Sequence, residues 1–246
     1  MEVTTERLTL GKFLALVEDE HLARYRFAAQ FVSGKDVGDI ACGTGYGSLM
    51  LARAGAKSVH GVDFSEDAIE YCNQQNDLAN VVFTTGDAQN LTGIADCQFD
   101  LVVSFETIEH LPSMDAYLDE MSRILRPGGS FLVSTPDRRI GSVLYWLLGR
   151  PQNRFHVCEL SERELLKLLS RRFQVEGRFG QGFVSRWLVF WPVQVVFKGF
   201  CRLIRSSRLF KFRDLLYSGG GQVEVIPADG VAGIPKFWVI LCKKPV

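Results

Sequence analysis

The sequence predicts an α/β fold: a doubly wound, mostly parallel sheet of seven strands, with helices on both faces and an inserted segment before the last strand. Three observations predict it. Short apolar runs alternate with helical patterns from Asp36 onward, a glycine-rich turn separates the first run from the next helical pattern, and acidic residues recur just past the ends of the runs. Alternation at this spacing implies parallel strands joined by crossover helices. Ligands of such sheets bind beyond the carboxyl ends of the strands, where the strand order reverses.

Residues 10–31 read as a helix with a mixed polar and apolar face, so residues 1–35 form an N-terminal helical lid. Strands are expected at 37–41, 58–62, 81–85, 99–104 and 130–134, with helices between them at 46–54, 65–77 and 113–125. Ser65 is placed to cap the helix that follows it. The turn Arg126-Pro127-Gly128-Gly129 stops the helix at 113–125, because Pro and Gly cannot continue it. A last helix at 162–169 leads to a strand at 173–179, and the closing strand lies at 237–242. The core therefore occupies 36–181 and 235–246, and 182–234 is an insertion longer than a plain loop.

Composition sets the outer bounds. Of the 246 residues 47% are hydrophobic and 23% charged, enough for a sizeable core. Lys plus Arg equals Asp plus Glu at 28 each, so no charge excess points to nucleic acid, which is not expected as a partner. The six cysteines are scattered without a CxxC pair, as suits reduced thiols in a cytoplasmic protein. The start MEVTTERLTLGKF lacks the basic and apolar regions of a secretory signal, and none is expected.

The chemistry-bearing residues follow the strands. Asp39-Ile40-Ala41-Cys42-Gly43-Thr44-Gly45-Tyr46-Gly47 links a strand to a helix, and its glycines let the backbone approach a ligand closely. A tight structural turn is the other reading of the same residues. Asp63 ends the second strand, where a carboxylate can hold a ribose diol or simply favour a helix N-terminus. Gly86-Asp87-Ala88 follows the third strand, where an Asp can accept from an adenine amino group or shape a turn.

With these residues in this order, the chain resembles the class I S-adenosylmethionine-dependent methyltransferases, in particular the type 11 group. The matching segments are VGDIACGTGYGSLMLA, VHGVDFSEDAIEYC, TTGDAQNL, FDLVVSFETIEHL and RILRPGGSFLVSTP, spanning roughly 36–136 in family order. The resemblance implies a Rossmann-like sheet and S-adenosyl-L-methionine as cofactor. It implies that Asp39, Ala41, Gly43 and Gly45 surround the methionine part, Asp63 and Phe64 the ribose, and Asp87 and Ala88 the adenine. Phe105 and Tyr25 complete the set, with Tyr25 and Arg24 closing over the cofactor from the N-terminal helix. Ala41 departs from the pattern, since many relatives carry the first glycine there.

Glu106-Thr107-Ile108-Glu109-His110 follows the fourth strand and faces the region where the acceptor should lie. Similar runs bind a divalent metal in ubiquinone-type O-methyltransferases and small-RNA methyltransferases, but they recur in relatives without one, so no metal is assigned here. Glu106 and His110 are candidate catalytic residues, with His110 a candidate base. His156, in Asn153-Arg154-Phe155-His156-Val157-Cys158-Glu159-Leu160, is a second; the segment resembles one found in glycan- and O-antigen-associated methyltransferases.

Between 178 and 213 the chain carries basic residues such as Arg186, Lys198, Arg202 and Arg205, no acidic one, and interleaved Phe and Trp. Two readings stand: peripheral contact with an anionic membrane through 182–213, or a lid over the acceptor pocket. The functional expectation is methyl transfer, at oxygen, to a small-molecule, sugar or lipid-linked acceptor. The rivals are a non-catalytic cofactor-binding scaffold and a nicotinamide-dependent oxidoreductase. Against the latter, Gly43-x-Gly45-x-Gly47 is not the dinucleotide spacing.

Overall fold

The computed structural model describes residues 15–141, 153, 155–185 and 223–246. Its centre is one sheet in the order β3-β2-β1-β4-β5-β8-β6-β7. Five strands run parallel: β1 (Asp36–Ile40), β2 (Ser58–Asp63), β3 (Val81–Thr85), β4 (Phe99–Phe105) and β5 (Leu125–Pro136). β8 (Ile234–Lys243) pairs antiparallel with β5 and with β6 (Gln174–Val184), and β7 (Ile226–Pro227) adds a short antiparallel edge. Strand order reverses between β1 and β4, so the ligand crevice of such a sheet opens above those two strands.

Alternate residues of the strands feed two separate cores, as the period of two in a strand requires. On one face Ile40, Val102, Phe131 and Val133 meet α4 (Met114–Ile124) and, beyond the short α5 (Arg138–Gly141), α6 (Glu162–Leu169) through Leu118, Met121, Leu165 and Leu169. On the other, Val37, Leu101, Val103 and Leu132 meet α1 (Ala15–Ala28), α2 (Tyr46–Arg53) and α3 (Glu66–Gln75) through Ala28, Leu51 and Ile69. Each such fully buried Leu or Ile contributes about 1.5–3 kcal/mol. Ser65 and Ser113 cap α3 and α4, accepting from the backbone of Ala68 and Ala116, and Ser161 opens α6 with a capping box to Glu164.

The sheet has eight strands rather than seven, and it is longer at its antiparallel end than the apolar runs suggest. β6 continues to Val184, inside the 182–234 segment, and β8 begins at Ile234, the segment's last residue and ahead of the expected start at 237. Hydrogen bonding between two antiparallel strands carries pairing beyond the apolar stretch, and hydropathy does not register that. Likewise Pro127-Gly128-Gly129 lies inside β5, with Gly128 at φ +72, and pairing with β4 shifts register between Phe99 and Leu101. The first helix is described from Ala15. Residues 186–222 lie outside the described residues, and with them most of the aromatic, basic segment and its membrane reading. Among the described residues no helix is long and apolar enough to cross a membrane.

Candidate active site

The turn after β1 is built on left-handed backbone. Ala41, Gly43 and Gly45 have φ of 64°, 59° and 76°. Alternating left-handed residues turn backbone N–H groups toward one side, which is how such loops cradle polar ligands. Gly45 is doubly required. A Cβ there would sit 2.7 Å from Cys72 Sγ and 2.8 Å from the Phe83 ring, besides adopting a conformation that side chains disfavour. Ala41 tolerates its φ at a cost on the order of 1 kcal/mol.

Asp63, at the end of β2, reaches across to this turn. Its Oδ2 accepts from the Gly43 N–H at 2.8 Å, and its Oδ1 accepts from the Ser65 N–H at 2.9 Å. One carboxylate thus ties the turn after β1 to the start of α3. A carboxylate has about four acceptor positions, so two remain for a diol. Phe64 beside it is 77% exposed, with its ring available for contact. After β3, Asp87 Oδ1 accepts from the Gln89 backbone at 2.9 Å and its side chain at 3.3 Å, a local turn, and Ala88 is buried next to it.

Tyr25 and Asp39 lie beneath this surface. Tyr25 donates from its hydroxyl to Asp39 at 3.1 Å, Ser48 donates to the same carboxylate at 2.6 Å, and the Tyr25 ring meets Phe105 edge-on at 5.2 Å. Asp39 is wholly buried, so it serves the site by seating Tyr25 and α2. The fit is close: a Cβ on Gly47 would lie 2.1 Å from the Tyr25 ring. Burial pushes the Asp39 carboxyl up to about 6, offset in part by the bonds from Ser48 and Tyr25.

The folded protein therefore holds a proton on Asp39 to higher pH than the unfolded chain does. The stability this proton carries is full below about 3.8 and is lost as pH rises through about 6. Asp39→Asn should remove that slope. Urea titrations should show the variant gaining on the native protein between about pH 4 and pH 7 by up to roughly 3 kcal/mol. A constant gap across that range would contradict the assignment.

The end of β4 carries the second half of the site. Glu106 adopts φ +51, accepting from Ser134 Oγ at 2.9 Å and donating its backbone N–H to the Ser134 carbonyl at 3.1 Å. Glu109 is buried; Thr135 donates to its Oε2 at 2.9 Å, while its Oε1 has no hydrogen-bond partner among the described residues. Burial, then the nearby Glu106 charge, raises the Glu109 carboxyl well above the usual carboxylate range. The Glu109 carbonyl accepts from the backbone N–H groups of Val157 and Cys158 at 2.8 and 3.2 Å, and this docks the 155–159 loop. Docking brings His156 against His110, ring centroids 4.8 Å apart and nearly perpendicular. His156 Nδ1 lies 2.7 Å from Glu159 Oε1, and His110 Nδ1 lies 3.1 Å from the Phe155 carbonyl.

A carboxylate oxygen of Glu109 and ring nitrogens of His110 and His156 all lie within 4.8 Å of one another. That donor set could hold a divalent transition ion, which favours imidazole more than magnesium does. In the sequence Glu109 stands out only as part of the Glu106–His110 run, and Glu159 does not stand out at all. The spacing Glu106-x-x-Glu109-His110 was a signal for the first. The second had only its position three residues after His156.

A family model described as a methyltransferase domain matches residues 31–175, more than half of the chain. The chain belongs to the class I S-adenosylmethionine-dependent methyltransferases. It is 36% identical over 163 residues to a probable S-adenosylmethionine-dependent methyltransferase of Mycolicibacterium smegmatis, covering 65% of this chain and 60% of that protein. A fatty-acid O-methyltransferase of the same organism is 38% identical over 127 residues, 48% of this chain and 46% of its own length. The matches thus span about half to three fifths of these relatives. The solved structure of an S-adenosylmethionine-dependent methyltransferase from Thermotoga maritima shares the fold, with a TM-score of 0.62 at 20% identity over 94% of this chain and 91% of that one.

The geometry at these strand ends fits the cofactor of the family. The left-handed turn, the two acceptor positions left on Asp63 and the exposed Phe64 ring all lie at the carboxyl ends of β1 and β2. Asp87 stands after β3, in line with them.

Proposed function

We propose that this methyltransferase transfers a methyl group to an oxygen of a small-molecule, sugar or lipid-linked acceptor. The observation that carries the reading is the His156–Glu159 pair, held beside His110 at the open end of β4. Bound S-adenosylmethionine supplies an electrophilic sulfonium methyl. The chain must hold the acceptor oxygen in line with that methyl and take up its proton. Alignment of this kind contributes about 7–11 kcal/mol at its upper limit.

His156 is the base in this reading. Glu159 receives the Nδ1–H, which fixes the tautomer and leaves Nε2 as the basic nitrogen. His110 braces the ring edge-on, and its own Nδ1 faces the Phe155 carbonyl of the same loop. A relative named as a fatty-acid O-methyltransferase supports oxygen as the atom methylated and an apolar acceptor as one candidate.

The test has two parts. Calorimetry should show one saturable site for S-adenosylhomocysteine, and the protein should release that product when given S-adenosylmethionine and a fractionated cell extract. Binding without release under any fraction favours the scaffold; absence of binding defeats the reading altogether.

A further inference from the structure

α1 straddles the two halves of the site. Tyr25 turns to Asp39 and Gly47 on the cofactor side. Arg24, one residue earlier and so about 100° around the helix, turns to the β6–β8 side, stacking over the Phe237 ring at 4.6 Å. Arg24 is wholly buried. Its Nη1 donates to Gln181 Oε1 at 2.5 Å, and Gln181 is held there because its Nε2 donates to the carbonyls of Glu20 and Val223. Glu20, one helical turn earlier on α1, is already engaged, pairing with Lys236 at 2.8 Å through both oxygens. Among the described residues Arg24 is left with a neutral amide, and its Nε and Nη2 have no hydrogen-bond partner.

A buried guanidinium with two unpaired donors is costly, and a structure keeps one where something else completes it. The charge is felt at the site. Arg24 pulls the Glu109 carboxyl down against the larger effect of burial, and it adds to burial in holding His21 neutral. Geometry ties Glu109 to Arg24: Phe237, under the guanidinium, pairs with Pro136 at the end of β5, the preceding Thr135 donates to Glu109, and a Glu109 carboxylate oxygen lies within 4.8 Å of ring nitrogens of both histidines.

We propose that Arg24 is the anion-binding residue of the acceptor pocket, and that the acceptor carries a carboxylate in addition to the hydroxyl that is methylated. The planar fork of Nε and Nη2 matches a carboxylate through two parallel bonds. The inference rests on the methyltransferase reading for the identity of the pocket, and it names a hydroxy acid as the acceptor class. The methionine carboxylate of the cofactor offers the same chemistry, so the experiment separates the two.

The protein loaded with S-adenosylhomocysteine would be titrated calorimetrically with meta-hydroxybenzoate and glucuronate, each against its neutral twin, meta-hydroxybenzyl alcohol and glucose. At least one acid should bind saturably and about tenfold or more tighter than its twin. Arg24→Met should abolish that preference and Arg24→Lys keep part of it, with S-adenosylhomocysteine affinity unchanged in both. Equal binding of acid and twin in both pairs overturns the proposal, as does a preference that survives Arg24→Met. Loss of S-adenosylhomocysteine affinity in Arg24→Met, with the acid preference intact, assigns the guanidinium to the cofactor and also overturns it. If Arg24→Met fails to fold, the native acid preference and the Arg24→Lys response decide. If the native protein binds no S-adenosylhomocysteine, the methyltransferase reading falls separately, and titration without that ligand still reads Arg24.

Discussion

Replacing His156 with Ala lowers turnover by about a hundred- to ten-thousandfold, the usual worth of a positioned base, and leaves S-adenosylhomocysteine affinity as it was. On the proposed reading the physical ground is the 2.7 Å contact between His156 Nδ1 and Glu159, which would leave Nε2 as the proton acceptor. Glu159→Gln should cost less, because an amide can still orient the ring but cannot stabilise the imidazolium that forms. His110→Ala should cost less again, since His110 acts on His156 through ring contact and the Phe155 carbonyl. Single-turnover product release by the three variants gives the order directly. If His110→Ala costs more than His156→Ala, the roles are reversed. If chelation abolishes native turnover and a divalent ion restores it, Glu109, His110 and His156 act together as ligands, and His156 is not the base.

Asp63→Ala is expected to weaken S-adenosylhomocysteine binding by about a hundredfold or more. Two charge-assisted bonds to a diol at about 1.5–3 kcal/mol each would account for a loss of that size. The variant also loses the two backbone bonds that join the β1 turn to α3, so thermal stability should fall with affinity. Asp63→Asn should fare little better. Its NH2 group cannot accept, and it would face one of the two N–H donors that the carboxylate now satisfies. Calorimetry beside thermal unfolding separates the roles. A fall in stability with unchanged affinity would make Asp63 a brace for the loop and no more.

Much of the cofactor half was legible in the sequence because it is local. The turn at Gly43 and Gly45, Asp63 at the end of β2 and Asp87 after β3 each follow a strand directly, and strand ends in a parallel sheet converge by topology. Asp39 shows where local reading runs out. The resemblance puts it beside the methionine part of the cofactor; the folded chain adds that its carboxylate is buried beneath the turn and engaged by Tyr25 and Ser48. Nothing in the motif says which way a side chain points once α1 folds over it. The extra edge at Ile226–Pro227 was equally out of reach, since two residues leave no period to detect.

By itself, then, the amino-acid order determined the strand–helix succession, the parallel sheet and the candidate cofactor residues at the strand ends, because each is read from residues within a turn or two of one another. Only the folded chain decided that the Glu109 carbonyl docks the 155–159 loop, that His156 thereby meets His110, and that Arg24 faces Gln181 rather than Glu20. Those contacts join residues tens to more than a hundred positions apart. Their partners are chosen by backbone hydrogen bonds and competition for buried charge, and neither leaves a periodic trace along the chain.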